Sequence, residues 1–325
     1  MKVMILTAGL GTRLRPHTFT KPKPLVSVAG KPVLAHIIDD LLDIGIDELI
    51  CVTGYLGNQI EDYVRSNYSF PMRFLEQKEM RGQADAIYLA REIASGPLLV
   101  VFGDGLFQID KERLSQHPNE GILYCKEVED PRRFGVAVVE DNRIMRLVEK
   151  PSEPVSNLAV IGVYYLPEAR RLMDAIAFIM ERNMQLKGEF YLADALQVMI
   201  DRGEVLRAES VPMWRDCGTV EALLDTNRYL LEHGHSRTID TSTAVIIPPV
   251  HIAPTATIER AVIGPHVSIA DGAVIRDAIV KDSIINTGAQ LQSVILARSL
   301  IGDRALVDGV SQELNVGDQS DIRFG

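Results

Sequence analysis

The sequence predicts an α/β chain in two parts. Residues 1–235 read as a mixed, mostly parallel sheet covered by helices, and residues 245–310 as a short parallel β-helix. Two observations carry this. Up to about residue 235, short apolar runs alternate with amphipathic stretches, the pattern of buried strands and the helices that cover them. Beyond 245, Ile, Val or Leu recurs every five or six residues. That period suits neither an α-helix nor a hairpin meander, and it does suit the sides of a three-sided coil. Residues 236–244 read as a polar linker. Residues 311–325 read as a polar tail around Leu314-Asn315-Val316-Gly317-Asp318.

Residues 3–6, 48–53, 72–76 and 97–102 are apolar runs of strand length. Residues 33–45, 57–66 and 83–92 carry their apolar side chains at helical spacing. Residues 135–139 and 144–149 read as a strand pair, 156–165 as a further strand, and 220–231 as a helix. In such a sheet, ligands bind at the carboxyl ends of the strands, where the loop at Gly9 and the corner Gly103-Asp104 fall. In the repeat, Ile246, Ile252, Ile258, Ile263, Ile269, Ile275, Val280, Ile285, Leu291, Leu296, Ile301 and Val307 take the inner positions. Val262, Ile284 and Val294 fall at outer positions and point to an association surface.

At 325 residues the chain exceeds a usual single core, so a large domain with a smaller one is expected. Its 46% hydrophobic and 24% charged content is that of a soluble globular protein. A net charge of −10 argues against a broad nucleic-acid or anionic-membrane surface, so a phosphate site must be a local basic pocket. Three scattered cysteines (Cys51, Cys125 and Cys217) make neither a disulfide framework nor a structural zinc site. No apolar stretch reaches the length of a membrane span, and the first strand begins without a cleavable signal. A cytoplasmic setting is the expectation.

The first strand breaks into Thr7-Ala8-Gly9-Leu10-Gly11-Thr12-Arg13-Leu14-Arg15-Pro16. A buried strand ending in uncrowded backbone cradles phosphates through main-chain N–H groups. Arg13, and Lys23 close behind, add cationic charge. Two common phosphate loops are excluded: the dinucleotide fingerprint needs Gly where Leu14 stands, and the P-loop needs Gly-Lys-Ser/Thr. Residues 98–104 form an apolar run ending in Gly103-Asp104, and Trp214-Arg215-Asp216-Cys217-Gly218-Thr219 supplies a second Asp. Alone, each Asp is commonly a turn former or cap. As a pair of hard oxygen donors they suit Mg²⁺. Glu149-Lys150-Pro151 follows an apolar strand, although an isolated Glu-Lys pair is more often a weak surface contact. Gln77 has an amide able to match the edge of uracil or thymine. Glu189, in Gly188-Glu189-Phe190, can accept from hydroxyls or simply favour a helix N-terminus.

Gly-x-Gly-Thr-Arg-x-Arg-Pro at 9–16, Lys-Pro-Leu-Val at 23–26 and Gly-Lys-Pro at 30–32 together resemble the signature of the sugar-nucleotide pyrophosphorylases. These nucleotidyltransferases join a sugar 1-phosphate to a nucleoside triphosphate. The likeness spans nearly the whole chain. It is similar in particular to the long-form glucose-1-phosphate thymidylyltransferases, which append a left-handed β-helix. The resemblance implies a Rossmann-like nucleotidyltransferase domain followed by a left-handed parallel β-helix. It implies that Ala8, Gly9, Gly11, Thr12 and Arg13 hold the triphosphate, with Arg13 and Lys23 catalytic. Gln77 and backbone near Gly82 would read the base, and Asp104 and Asp216 would hold Mg²⁺. Gly135, Glu149, Lys150, Val160 and Glu189 would bind the sugar phosphate.

The implied substrates are an NTP (dTTP or UTP) and a sugar 1-phosphate, glucose 1-phosphate foremost. Three departures lie near the nucleotide. Gly103-Asp104-Gly105 stands where the family usually has Gly-Asp-Asn. Pro24-Leu25 stands where thymidylyl enzymes often have Gln-Leu. Arg81-Gly82-Gln83-Ala84-Asp85-Ala86 replaces a more usual Gly-Leu-Ala-Gln-Ala or Gly-Leu-Ala-His-Ala. They leave dTTP versus UTP open. Two other readings compete: an acyltransferase site on the β-helix using His251 or His266, and a non-catalytic sugar-nucleotide-sensing subunit. The uninterrupted loop at 9–13 and the presence of Lys23, Asp104, Lys150 and Asp216 favour catalysis. The β-helix is expected to make the protein a homo-oligomer.

Overall fold

The computed structural model describes residues 1–116, 119–153 and 155–309. It has two compact units: Met1–Ser27 with Lys31–Leu223, and Val28–Gly30 with the chain from Leu224. The boundary expected after residue 235 thus lies beyond this division, and three residues of the signature region belong to the second unit.

Among the described residues, the first unit holds a nine-stranded mixed sheet. Its order is Met72–Glu76, Glu48–Thr53, Lys2–Leu6, Leu98–Phe102, Leu158–Leu166, Gly121–Glu127, Leu206–Ser210, Arg143–Glu149 and Gly135–Glu140. The first four are mutually parallel. Val3, Met4, Ile5 and Leu98 to Val101 are wholly buried, so these strands read as continuous apolar runs and not as alternating ones. One face packs Met4, Ile50, Val52 and Val100 against Ile87, Leu172, Ile176 and Leu196 of helices Gln83–Tyr88, Ala169–Glu181 and Leu192–Asp201.

Two helices end earlier than their periodicity suggests. The one expected over 83–92 stops at Tyr88, and the chain continues in turns such as Ala90 N–H to Ile87 O and Ile93 N–H to Ala90 O. The one expected over 33–45 is α-helical over Val33–Leu41 and then tightens into a 3₁₀ turn, Leu42–Ile44. Strands Gly121–Glu127 and Leu206–Ser210 are not foreseen by the sequence reading. Neither is the antiparallel ribbon of Gly105–Gln108 and Met213–Asp216.

The second unit contains a parallel β-helix, in which three four-stranded parallel sheets form the three sides among the described residues. All twelve expected inner positions stack into three ladders. Ile246, Ile263, Val280 and Leu296 form the first. Ile252, Ile269, Ile285 and Ile301 form the second. Ile258, Ile275, Leu291 and Val307 form the third.

The outer positions need two corrections. Val294 is partly buried and packs against the β-helix core, one position before the Ile279–Ile295 rung and level with buried Ala278. Ile284 is buried at 2% exposure, because its side of the coil is covered. Asn227, on helix Val220–Leu230, accepts from Ser268 Oγ at 2.6 Å, and Ser268 is the ladder neighbour of Ile284. Asn227 Oδ1 also accepts from Ala29 N–H at 2.9 Å, which builds Val28–Gly30 into this unit. The uncovered apolar ladder is instead Val245, Val262, Ile279 and Ile295, of which Val245, Ile279 and Ile295 are 59%, 45% and 78% exposed.

The tail expected over 311–325, with its Leu314–Asp318 motif, lies outside the described residues, as does residue 310. Among the described residues no helix is long and apolar enough to cross a membrane. Cys51, Cys125 and Cys217 are buried and form no disulfide among the described residues, and burial pushes the Cys51 and Cys125 thiols up to about 12.

Ile275→Ala leaves a cavity at a fully buried rung and is expected to cost about 2–5 kcal/mol. Leu306→Ala, at a position 70% exposed, should stay within about 0.5 kcal/mol of the parent. Urea unfolding of the two variants checks the difference.

Candidate active site

The loop after Lys2–Leu6 is pinned at its root. Thr7 donates to Val52 O through both its N–H and its Oγ1 at 2.8 Å, and Gly103 N–H donates to Leu6 O at 2.9 Å. Gly11 has a φ of +62°, and a Cβ there would lie 2.9 Å from Lys23 Cβ. Only glycine lets the loop fold this closely against Lys23. The Gly11 carbonyl accepts from Leu14 N–H at 3.0 Å and Thr18 Oγ1 at 2.8 Å, which fixes the turn carrying Arg13.

Lys23 sits in a 3₁₀ turn, is nearly buried, and reaches Asp104 Oδ2 with its Nζ at 2.6 Å. Asp104 remains about half exposed. Asp216 arrives from far along the chain through the ribbon, in which it pairs with Gly105. The N–H of Cys217 donates to Asp104 O at 3.0 Å, so the two carboxylates spring from hydrogen-bonded backbone. Asp216 Oδ1 accepts from Gly218 N–H at 2.8 Å. A Cβ on Gly218 would lie 2.7 Å from Arg13 Nη2, which places that guanidinium at the same corner. Among the described residues no three His, Cys, Asp or Glu side chains gather into a metal cluster. The candidate metal site is therefore a two-carboxylate one.

Two cavities meet here. One is lined by Ala8, Gly9, Gly11, Thr12, Lys23, Gln77, Gly82 and Glu189, and the other by Gly135, Glu149, Lys150, Val160 and Asp216. Arg13, Gln83, Phe102 and Asp104 line both. Every candidate residue thus lies on one or the other. Glu189, expected beside the sugar phosphate, lies with Gln77 and Gly82 instead.

In the second cavity, Glu149 pairs with Gly135 across an antiparallel ladder. Lys150 Nζ lies 3.3 Å from Glu149 Oε1 and 4.8 Å from the centre of the Tyr191 ring. Burial raises the Glu149 carboxyl, with the Lys150 charge acting against it. Lys150 loses some basicity to burial but is held above its ordinary value by the Glu149 carboxylate.

Gln83, Phe102, Arg133 and Trp214 also line the second cavity, although the sequence reading gives none of them a role in the site. Arg133 had a signal, since Arg132-Arg133 runs directly into Phe134-Gly135. Trp214 packs edge-on against Phe134 with ring centres 5.2 Å apart, a contact visible only in three dimensions.

A family model described as nucleotidyl transferase matches residues 2–233. The "Bifunctional protein GlmU" of Methanocaldococcus jannaschii is 34% identical over 71% of this chain. The chain spans 55% of that relative's length. A glucose-1-phosphate thymidylyltransferase of Streptomyces antibioticus is 30% identical, with 95% of this chain and 91% of that protein covered. A crystal structure from Bacillus anthracis, designated a glucose-1-phosphate thymidylyltransferase in complex with a sucrose, superposes with a TM-score of 0.61 at 26% identity. That superposition covers 74% of this chain and 98% of the other. The family match takes in every strand of the nine-stranded sheet and the loop, ribbon and cavities that the sheet positions, and the chain belongs to the nucleotidyl transferase family.

Proposed function

We propose that the protein transfers a nucleotidyl group from a pyrimidine NTP, dTTP or UTP, to a sugar 1-phosphate, foremost glucose 1-phosphate. The products are an NDP-sugar and pyrophosphate. The observation that carries the reading is the meeting of two cavities at Arg13 and Asp104, with Lys23 on Asp104. A phosphate oxygen of the sugar phosphate attacks the α-phosphorus, and the bond to the bridging oxygen breaks as pyrophosphate leaves. Two polyanions must approach in line, so the work is positioning and charge neutralisation. Loop backbone at Ala8 to Thr12 cradles the triphosphate. Arg13 and Lys23 meet charge that grows on the phosphoryl oxygens. Glu149 accepts from sugar hydroxyls, and Lys150 pairs with the sugar phosphate.

Asp104 and Asp216 fit Mg²⁺: both offer hard oxygens, and two protein ligands leave most positions to phosphates and water. Bound there, the ion would supply further charge neutralisation to the phosphates. The likeness to thymidylyltransferases supports glucose 1-phosphate as acceptor. Three buried cysteines held as thiols and not as disulfides support a cytoplasmic setting.

The acyltransferase reading is less favoured. His266 Nε2 lies 2.8 Å from Glu232 Oε1, and a Cβ on Gly30 would lie 2.1 Å from His251 Nε2, so both rings have packing roles. Burial also lowers the His251 pKa. The reading includes a homo-oligomer, supported by the exposed Val245, Ile279 and Ile295 of one ladder.

Pyrophosphate release should be Mg²⁺-dependent and greatest with dTTP or UTP plus glucose 1-phosphate; none with any NTP and sugar phosphate sinks the proposal. Asp104→Asn and Asp216→Asn should each cost on the order of a hundredfold or more in turnover while thermal unfolding stays near the parent. Gly11→Ala should strain the loop and displace Lys23, lowering kcat by about tenfold or more. Paired Ile279→Glu and Ile295→Glu substitutions should reduce the mass seen by light scattering and leave turnover intact. A parent chain that is already monomeric refutes the association.

A further inference from the structure

We infer that Asp85 is a positioning residue that sets base specificity by fixing which end of the Gln77 amide a nucleobase meets. The inference rests on the nucleotidyl-transfer reading of the site and adds to it a residue and a selection rule.

The anchor is a closed set of hydrogen bonds behind the first cavity. Gln77, only 5% exposed, donates from Nε2 to Gly82 O at 3.0 Å and to Asp85 Oδ2 at 2.9 Å. Both amide hydrogens are thereby spent inside the protein. The carbonyl oxygen is the polar atom left for a ligand in the cavity that Gln77 lines. Turning the amide over would set its oxygen against two acceptors, Gly82 O and Asp85 Oδ2, so this orientation is strongly preferred.

Each acceptor is itself held. Asp85 is 6% exposed, and its Oδ1 takes a hydrogen bond from Arg81 Nη2 at 2.6 Å. Its carboxylate is thus shared between a guanidinium and the Gln77 amide. Gly82 has a φ of +98°, and a Cβ there would lie 2.4 Å from Phe190 O, so its backbone position admits no side chain. Phe190 N–H donates to Arg81 O at 2.8 Å, and Ala84 N–H donates to Phe190 O at 3.1 Å. Gln77 N–H donates to Thr53 O at 2.8 Å and so stays tied to the sheet. The amide has no freedom to adapt to the base offered.

A fixed carbonyl oxygen selects by the ring nitrogen it meets. Uracil and thymine present an N–H between two carbonyls and complete the hydrogen bond. Cytosine and adenine present a bare ring nitrogen at the comparable edge, which would face the oxygen lone pair to lone pair. A buried polar group left unpaired is how a site rejects a near-isostere strongly. UTP and dTTP should therefore be accepted, and CTP rejected, for a reason that lies in Asp85.

The test compares kcat/KM for UTP, dTTP and CTP in the full chain and in two variants. In Asp85→Asn the new side-chain N–H₂ can donate to the Gln77 oxygen and turn the amide over, so the UTP-to-CTP ratio should fall by about tenfold or more. Arg81→Ala, at a half-exposed position, removes the second grip on Asp85 and should lower the ratio by a smaller factor even if Asp85→Asn folds poorly. An unchanged ratio in both variants, or an equal fall for all three nucleotides, overturns the inference. So does a parent chain that takes CTP as readily as UTP. Equilibrium binding of UTP and CTP to the same proteins separates the two levels. A binding preference that depends on Asp85 without any turnover would sink the transfer reading and keep this one. Turnover with a preference indifferent to Asp85 would do the reverse, and absence of any nucleotide binding sinks both.

Discussion

Lys2–Leu6 and Leu98–Phe102 run parallel with Leu6 opposite Phe102, so both strands stop at the same height. The loop at Gly9 and the corner at Gly103-Asp104 therefore emerge side by side, clamped by the hydrogen bond from Gly103 N–H to Leu6 O. Lys23 can reach Asp104 only because of that register. The ribbon of Gly105–Gln108 and Met213–Asp216 starts from the same corner, and so Asp216 arrives beside Asp104 although it lies over a hundred residues away. A slip of one residue between the two central strands would turn their buried side chains to the opposite face and separate the loop from the carboxylates.

What could be read in advance follows from how local each signal is. Strands buried on both faces, such as Glu48–Thr53, announce themselves as apolar runs. The hexads do so by period, and each inner residue from Ile246 to Val307 stacks on its equivalents in the next coil. Leu206–Ser210 is written Leu-Arg-Ala-Glu-Ser, which carries no such run and is a strand because Gly121–Glu127 pairs with it. Ile284 looked outward by count and is buried by a helix from earlier in the chain. Gln77 could be picked out as a polar residue at a strand end. The direction of its amide could not, because Asp85 and Gly82 fix it through space.

The β-helix maintains its corners at some local cost. Arg260, Asp277 and Ser293 occupy equivalent bends one coil apart, and all three have φ near +50°. Non-glycine residues in this region cost on the order of 1–3 kcal/mol each. The stacked Ile ladders offset that strain, and Arg260 donates from Nε and Nη2 to the two Asp277 carboxylate oxygens at 2.7 and 2.9 Å on the next bend. That paired contact depresses the Asp277 carboxyl to about 2, so the bend keeps its charge pair across the ordinary working range of pH.

Val28–Gly30 belongs to the unit that otherwise begins at Leu224. The hydrogen bond from Ala29 N–H to Asn227 Oδ1 closes a loop of 198 residues. During synthesis this early tripeptide leaves the ribosome long before its partner exists, and it must wait while the strands of the nine-stranded sheet are translated. Contacts of such sequence separation form late and slowly. A nascent chain stalled or clipped before Asn227 would hold a segment next to Lys23 with its buried partner missing, a vulnerability that lasts until the helix at 220–230 has been translated.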